Sequence, residues 1–379
     1  MERVDPHSNK ARPIGIGIVG LSARGGWAAL AHAPAIENVP GVELRALTAS
    51  SPESAAQAGK RFAVPHHTDA AALAHDPDVD LVVIAVKVSK HKDLIESALA
   101  AGKMVLCEWP LGNGSTEARQ LTEQASTLGI RTFVGMQARA TPAIRYLRDL
   151  IREGYVGEVL STTLTASGVS WGDLTFPEKT YLLDREEGAS LLTIPAAHTL
   201  DAVQYVLGDF ATIQATTAIR RKQVRMHRRP DELHLKTVAD QIAVQGVLDS
   251  GAVVATHFRG GTSRGTDFHW EINGTKGDII VRGDGYAGAF LQYGQVHLVG
   301  ARGDESELTS LPTPDKYIKL TSLPEHGSHA FTVAHAYAQI VDDVAHGTSV
   351  VPDFSHALSL HHFIDSIEES AERGVRVEL

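Results

Sequence analysis

Short apolar runs alternate with helix-like segments over residues 14–140 of the chain. The runs are rich in Val, Ile and Leu, which is typical of strands buried on both faces of a sheet. The predicted strands are Ile14–Val19, Val42–Thr48, Val79–Val86, Lys103–Cys107 and Arg131–Gly135. Because helical segments separate these strands, the pattern predicts an α/β fold with a parallel sheet and right-handed crossovers.

The pattern changes after residue 140. Thr141-Pro142 predicts a helix N-terminus, and the helix is expected to run to Gly154. The later runs alternate with period two and are separated by turn residues, which predicts an antiparallel sheet of about six strands. The predicted strands and hairpin arms are Val159–Ala166, Phe210–Arg220, Gln241–Leu248, Ala252–Phe258, Phe268–Ile272, Asp278–Val281 and Gln295–Val299.

These two patterns predict three parts of the chain. Residues 1–13 are polar and are expected to form a loose tail, residues 14–140 a first domain built on the parallel sheet, and residues 141–379 a second domain built on the antiparallel sheet. Within the last part, Asp304–Pro324 is predicted to be a long surface loop. Two helices, His329–His346 and Phe354–Arg373, are expected to close the chain.

Composition agrees with a two-domain globular protein. The chain has 379 residues, which is too many for a single hydrophobic core. Of these residues 43% are hydrophobic and 21% are charged, as is usual for a globular protein. A net charge of −10 argues against nucleic acid as a partner. The single cysteine, Cys107, excludes an internal disulfide and favours a reducing compartment. With no signal-like or membrane-spanning apolar run, we expect a cytoplasmic protein.

A glycine-containing turn follows the first predicted strand. Gly20, Ser22, Arg24 and Gly25 match the dinucleotide-binding spacing GxGxxG, except that Ser22 holds the central position. Such a turn lets backbone N–H groups approach a pyrophosphate at a helix N-terminus. We therefore predict a Rossmann-like nucleotide site, although an ordinary strand-to-helix turn without a ligand has the same local pattern.

The end of the second predicted strand bears on the choice of nucleotide. In such folds an acidic residue at this place binds the ribose hydroxyls of NAD. Here Ser50 and Ser51 follow the strand, and Glu53 falls in the first turn of the next predicted helix. The absence of a carboxylate favours NADP over NAD by a small margin, with Arg24 as the cation for the 2′-phosphate.

Several segments resemble the Gfo/Idh/MocA oxidoreductases. The resemblance rests on the glycine turn, on VVIAVKVSKH and above all on GKMVLCEWPLG. It implies a nucleotide-binding domain followed by an α/β domain with an open, mostly antiparallel sheet. The family usually carries Glu-Lys-Pro where this chain has Glu108-Trp109-Pro110, and its lysine lies near the nicotinamide and substrate. Glu-Trp-Pro is similar to a subgroup that includes the fungal galactose-pathway repressor, a nucleotide-binding regulator.

The resemblance and the strand ends together give the candidate site. The residues assigned to the cofactor are Gly20, Ser22, Arg24, Gly25, Ser50, Ser51, Val86, Lys87, His91, Glu108, Trp109 and Gln137. By resemblance His198 is the general acid/base, with Asp201 three residues later, while Ile194 replaces a family aspartate. Lys87 and Tyr181 are candidates to replace the missing lysine. The alternative is that His198 is a core histidine held by Asp201.

The remaining chemistry is expected to be ordinary. The basic run Arg220–Arg229 is predicted to be a solvated loop and not a nucleic-acid site, because it lacks interleaved aromatics and a recognisable module. The histidines of the last two helices show no metal-binding spacing, so no metal is expected. We also expect residues 14–140 to be the dinucleotide-binding Rossmann domain and residues 141–379 the substrate and oligomerisation domain, with a homo-oligomer formed through the C-terminal sheet.

The pattern as a whole favours an NAD(P)-dependent oxidoreductase acting on a sugar-like or cyclitol-like alcohol. Two alternatives remain open. One is a nucleotide-binding sensor or regulator without dehydrogenase activity. The other is redox-neutral chemistry with a retained NAD.

Overall fold

The computed structural model describes residues 12–283, 290–320 and 329–379. Within these ranges the strands are β1 Ile14–Val19, β2 Val42–Thr48, β3 Leu81–Ile84, β4 Met104–Glu108, β5 Thr132–Gly135, β6 Val159–Gly168, β7 Leu174–Thr175, β8 Phe210–Ala218, β9 Gln223–Met226, β10 Arg229–Leu235, β11 Gln241–Leu248, β12 Val253–Gly260, β13 Phe268–Gly274, β14 Gly277–Gly283, β15 Val296–Arg302, β16 Thr309–Ser310 and β17 Val377–Glu378. The α-helices are α1 Ala33–Asn38, α2 Pro52–Phe62, α3 Ala70–Ala74, α4 His91–Ala100, α5 Ser115–Leu128, α6 Gln137–Ala140, α7 Pro142–Arg152, α8 Ala197–Leu207, α9 His329–His346 and α10 Phe354–Arg373.

The first sheet has five parallel strands in the order β2-β1-β3-β4-β5. Its interior positions are buried on both faces, as the continuous apolar runs predicted. Val19 lies opposite Ile84, and Ile84 lies opposite Cys107, so the carboxyl ends of β1, β3 and β4 meet at one edge. This confirms the predicted parallel α/β unit and places the polar residues that follow these strands side by side.

The turn after β1 needs residues without side chains. Gly20 has φ +100°, and a Cβ there would lie 2.7 Å from the carbonyl oxygen of Ala85. The chain then passes through Gly25 and Gly26, both at positive φ, into a π-helical turn at Ala28–His32. The helical segment after the glycine turn therefore starts with this π-helical turn and continues as α1.

Two hydrophobic clusters cover the two faces of the first sheet. One contains Ile16, Ile18 and Val83 together with the apolar face of α9. The other contains Val82, Ile84 and Val134 and continues into the second sheet and α10. The last helices of the chain thus complete the core of the first sheet, while the boundary near residue 141 stays a prediction.

The second sheet has nine strands, in the order β16-β15-β14-β13-β6-β12-β11-β8-β17. All of its pairings are antiparallel except that of β6 with β12. The predicted open, mostly antiparallel sheet is confirmed, but the expected number of about six strands is wrong. Two of the edge strands, β16 and β17, have only two residues each, which is too short to produce an alternating pattern.

The basic run is not a loop. Its central part forms β9, which pairs with β10 on one side and with β7 on the other, and its last residue, Arg229, begins β10. Val224 and Met226 are buried while Gln223 and Arg225 are exposed. The charged residues therefore lie on the solvent side of a strand. The alternation of apolar and polar residues along this segment was the sequence signal for a strand, and the number of charges obscured it.

Two further predictions fall partly outside the described residues. The expected N-terminal tail includes residues 1–11, and the expected loop Asp304–Pro324 includes residues 321–324; both segments lie outside the described residues. The described part of that loop contains β16 and a single 3-10 turn at Asp315–Tyr317. In the described ranges, no helix combines the length and apolar character needed to span a bilayer.

Candidate functional site

A cavity of about 240 Å³ lies beyond the carboxyl ends of β3 and β4. It brings together eight residues that the sequence placed in the site: Val86, Lys87, His91, Glu108, Trp109, Gln137, Tyr181 and His198. It is also lined by Ile194 and by six residues that the sequence did not indicate: Trp27, Ala85, Val88, Ala189, Gln292 and Tyr293. Residues from the first sheet, from the segment before α8 and from the segment after β14 therefore share one cavity.

The glycine turn lies apart from this cavity and has the features of a phosphate-binding turn. A Cβ added at Gly25 or Gly26 would meet nothing within 4 Å, so the backbone there is open to an incoming group. The Ser22 hydroxyl accepts a hydrogen bond from the backbone N–H of Arg24 at 3.1 Å, which holds the turn in shape. The residues present therefore fit a dinucleotide pyrophosphate at this helix start.

The end of β2 carries hydroxyls and nearby arginines. Ser51 caps α2 by accepting from the backbone N–H of Ser54 at 3.2 Å, and Ser50 is exposed. Arg24 is exposed beside the turn, and the Arg61 guanidinium donates to the carbonyl oxygen of Ala23. Arg61 was not selected from the sequence because it reaches the turn only when α2 packs against β2.

Glu108 is the acidic residue of the cavity lining, and three hydrogen bonds reach its carboxylate. Its Oε1 lies 3.0 Å from His32 Nε2, and Gln137 Nε2 donates to both carboxylate oxygens at 2.9 Å. His32 Nδ1 in turn lies 2.8 Å from the Tyr337 hydroxyl. His32 and Tyr337 were not selected from the sequence because they are 76 and 229 residues from Glu108 along the chain.

Lys87 and Tyr181 both line the cavity, and their side chains are in contact. The Lys87 ammonium lies 4.6 Å from the centre of the Tyr181 ring, within the range of a cation–π contact. Burial raises the pKa of Tyr181, and the charge of Glu187 adds to the effect, so the phenol stays protonated near neutral pH. This pair supplies the cavity with a cation and a hydroxyl group.

His91 is occupied by the protein backbone. Its Nδ1 lies 2.8 Å from the carbonyl oxygen of Pro110, and its Nε2 lies 3.1 Å from that of Val86. Burial lowers the pKa of His91, with the neighbouring hydrogen bonds and Glu108 opposing it. Its ring therefore holds together the two segments that follow β3 and β4.

Trp109 forms an apolar wall. Its indole N–H donates to the carbonyl oxygen of Thr193 at 2.5 Å, and its ring centre lies 4.6 Å from that of His361. Only 5% of the residue is exposed. An indole has no charge, and its single N–H is already used, so it cannot supply the electrostatic stabilisation that a lysine gives.

His198 is buried and neutral near pH 7. It is 3% exposed, and burial lowers its pKa to about 4, although the charges of Glu108 and Asp201 oppose that shift. Its buried Nδ1 has no hydrogen-bond partner among the described residues. The imidazole therefore borders the cavity with an uncommitted nitrogen.

The hydrogen-bond partners of the Asp201 carboxylate are Arg139 and His356. Arg139 Nε and Nη2 each donate to the carboxylate at 2.7 Å, and His356 Nε2 lies 2.6 Å from Oδ1. Burial alone would raise the pKa of Asp201, but the Arg139 charge and the His356 hydrogen bond hold it well below its usual range. The alternative of a core histidine held by Asp201 is thus not supported by a direct hydrogen bond in the described structure.

Metal binding finds no structural support in the part of the chain that is described. No group of three or more His, Cys, Asp or Glu side chains there has an arrangement able to hold an ion. The site consists of a glycine turn for a nucleotide and a partly apolar cavity with a carboxylate, an imidazole and a cation.

Comparison with known proteins agrees with this architecture. Residues 14–136 match the family model for oxidoreductases with an NAD-binding Rossmann fold, named GFO_IDH_MocA. Residues 142–283 match the model for the C-terminal domain of Gal80p.

Relatives with these domains include both regulators and dehydrogenases. The galactose/lactose metabolism regulatory protein GAL80 of Saccharomyces cerevisiae is 30% identical over 299 residues, covering 72% of this chain and 68% of that protein. Levoglucosan dehydrogenase of Pseudarthrobacter phenanthrenivorans is 26% identical over 397 residues, covering 97% and 98% of the two chains. A solved levoglucosan dehydrogenase in complex with NADH and L-sorbose has a TM-score of 0.80 at 23% identity, covering 96% and 98%.

The Asp201 ion pair gives a stability prediction. Asp201→Asn leaves the partly buried Arg139 without its charged partner, so we expect a loss of about 3 kcal/mol in the free energy of unfolding at pH 7. Because the folded-state pKa is depressed, the carboxylate's contribution is fully present above about pH 4 and is lost as the pH falls further. The variant should therefore lose less stability than the wild type between about pH 5 and pH 2.

Chemical denaturation measured across this pH range tests the prediction. Asp342→Asn is the matched control, because Asp342 forms an exposed pair with Lys319 at 2.9 Å and should contribute little. Equal stability of Asp201→Asn and the wild type at pH 7 would contradict the assignment.

Proposed function

The chain belongs to the Gfo/Idh/MocA family of oxidoreductases, and we propose that it is an NAD(P)-dependent dehydrogenase of a sugar-like or cyclitol-like alcohol. The observation that carries the proposal is the single cavity that gathers Glu108, His198 and Lys87 beyond the strand ends. A bound nicotinamide supplies the two-electron redox chemistry. Relatives named as levoglucosan and D-apiose dehydrogenases support a sugar-like substrate class.

Different residues of the chain would bind different parts of the cofactor. The turn from Gly20 to Gly26 would hold the pyrophosphate through backbone N–H groups, and Ser50 and Ser51 would face the adenosine ribose. Val86, Glu108 and Gln137 border the cavity at the ends of their strands and would surround the nicotinamide side. This division follows the rule that ligands lie outside the carboxyl ends of parallel strands.

The cavity residues would orient the alcohol. The neutral His198 can hydrogen-bond the reacting hydroxyl, and Lys87 with Tyr181 can bind a neighbouring hydroxyl of a polyol. Trp109 and Ile194 make one side apolar, so that side suits the carbon face of a sugar or cyclitol ring. Turnover would then depend on His198 rather than on a lysine at position 109.

A nucleotide-binding regulator is the second candidate. Trp109 favours it, because it removes the cation that the family's dehydrogenases carry at this place. The similarity to a regulatory protein of galactose metabolism points the same way. The retained His198, Glu108 and Lys87 favour the enzyme, and activity assays separate the two.

The nucleotide site gives the next prediction. Ser22→Phe places a ring where the pyrophosphate is expected, so calorimetric titration should show that binding of NAD and NADP is abolished. Ser359→Phe, at an exposed position of α10, is the matched control and should bind like the wild type. Equal affinity of Ser22→Phe and the wild type would contradict the assignment of the turn.

The end of β2 gives a prediction on cofactor choice. NADP should bind at least as tightly as NAD, because hydroxyls and arginines surround the place of the 2′-phosphate. Arg24→Ala should weaken NADP binding by roughly tenfold, the value of one charge-assisted hydrogen bond, and leave NAD binding nearly unchanged. A clear preference of the wild type for NAD, measured by calorimetry, would refute this part of the proposal.

The catalytic prediction concerns Trp109 and His198. In a screen of levoglucosan, D-apiose, simple aldoses and myo-inositol with NAD and NADP, the wild type should oxidise at least one compound. His198→Ala should lower kcat by roughly 10²- to 10³-fold, the usual cost of losing a hydrogen bond to the reacting oxygen. His346→Ala removes an exposed histidine at the end of α9 and serves as the control.

Three outcomes of the screen distinguish the candidates. Activity in the wild type that His198→Ala removes supports the dehydrogenase. Activity only in Trp109→Lys, with unaltered thermal unfolding, supports the regulator. Robust wild-type oxidation that His198→Ala leaves unchanged would contradict the role given to this histidine.

A further inference from the structure

We infer that Glu108 accepts the proton of the substrate hydroxyl, and that His32 and Tyr337 position it for this task. The inference rests on the proposed dehydrogenase function. It assigns a step to the carboxylate that neither the glycine turn nor the family resemblance assigns. It also gives a role to two buried polar side chains outside the cavity.

The geometry is a continuous chain of hydrogen bonds that ends at the cavity. It runs from the Tyr337 hydroxyl to His32 over 2.8 Å and from His32 to Glu108 Oε1 over 3.0 Å. Tyr337 is fully buried and His32 is 1% exposed, whereas the Glu108 side chain keeps 14% of its surface exposed. The only member of this chain that borders the cavity is therefore the carboxylate.

One protonation pattern satisfies all three groups. Burial raises the pKa of Tyr337 well above its usual value, and the charge of Glu108 adds to the effect, so its hydroxyl remains a donor. With this hydroxyl donating to His32 Nδ1, the tautomer that carries its hydrogen on Nε2 donates to Glu108. Gln137 donates to the same carboxylate from the other side. Glu108 is thus held in one orientation by two donors that approach from α6 and from the turn after β1.

Burial decides which group can keep the proton. If His198 accepted it, a new positive charge would form in a residue that is 3% exposed, and burial already lowers the pKa of His198 to about 4. Because burial disfavours a charged imidazole, it opposes this transfer. The carboxylate of Glu108, which also borders the cavity, is the acceptor that remains.

The step balances with groups already named. The O–H bond of the alcohol breaks, its proton goes to Glu108, and its electron pair forms the second bond between carbon and oxygen. The hydrogen on the same carbon leaves with its electron pair to the oxidised nicotinamide of the proposed function. The alcohol becomes a carbonyl compound, and His198 orients its oxygen without changing its own charge.

The chain also connects the reacting group to the nucleotide turn. His32 is the last residue of the π-helical turn that begins two residues after Gly26. Tyr337 comes from α9, which packs on the same helical segment. The orientation of Glu108 is therefore set by the segment expected to receive the pyrophosphate.

Chemical rescue tests the inference with the full-length protein and the best substrate of the screen. Glu108→Ala should lower kcat by roughly 10²- to 10⁴-fold. Added formate should restore at least a tenth of the lost rate, because a small carboxylate can enter the vacated space. Glu108→Gln fills that space with a neutral amide, so it should be equally slow and should not respond to formate. Calorimetry with NAD and thermal unfolding confirm that both variants fold and bind nucleotide.

The positioning role needs a separate variant. Tyr337→Phe removes only the hydroxyl that donates to His32, so kcat should fall by roughly fivefold, the value of one hydrogen bond, with KM unchanged. Tyr317→Phe is the matched control, since this buried tyrosine donates to Asp149 and is not among the residues that line the cavity. Its kcat and KM should equal those of the wild type.

The failures are distinguishable. A wild type that binds NAD but oxidises no compound of the screen overturns the proposed function, and the inference with it. If the wild type is active and Glu108→Ala keeps the wild-type kcat, the inference alone is overturned. The same holds if saturating NAD restores the kcat of Glu108→Ala and formate has no effect. Equal losses in Tyr337→Phe and Tyr317→Phe would overturn the positioning role.

Discussion

The parallel pairing of β1 with β3 is the constraint on which the site depends. It brings Gly20 so close to Ala85 that no side chain fits there, and it ends both strands at the same edge. The chain must then turn away in opposite directions, toward β2 on one side and β4 on the other, which opens a crevice. Glu108 at the end of β4 and Val86 after β3 lie in that crevice because of strand register alone.

Burial then determines what each polar group can do. Asp201 keeps its charge in the interior because Arg139 and His356 surround it, so it stabilises the fold. His198 has no such partner at Nδ1 and stays neutral. Glu108 lies between these cases, since it is bonded by donors on its inner side and open to the cavity on the other. Three titratable groups close together in the core therefore differ in function through their surroundings.

Trp109 places an uncharged, apolar ring in the wall of the cavity. Its indole packs on His361 and donates to Thr193, so it rigidifies the wall between the first sheet and the segment before α8. A lysine there would bring a charge to the reacting oxygen. Without it, the cations and acids of the cavity come from Lys87 and Glu108, which lie on strand ends of the same sheet. Relatives of this chain include both a regulatory protein and dehydrogenases, as expected when one fold carries different functions.

Sequence patterns determined the elements whose signal is local. The apolar runs of β1 to β5, the spacing from Gly20 to Gly25 and the Glu108-Trp109-Pro110 turn each lie within a few residues, and from them came the parallel sheet, the nucleotide turn and most cavity residues. Local patterns could not reveal β16 and β17, which pair only because longer strands offer them an edge. They could not reveal the partners of Glu108 and Asp201 either. His32, Tyr337, Arg139 and His356 are remote in the chain. Only the packing of α9 on the first sheet and of α6 and α10 against α8 brings them into hydrogen-bond range.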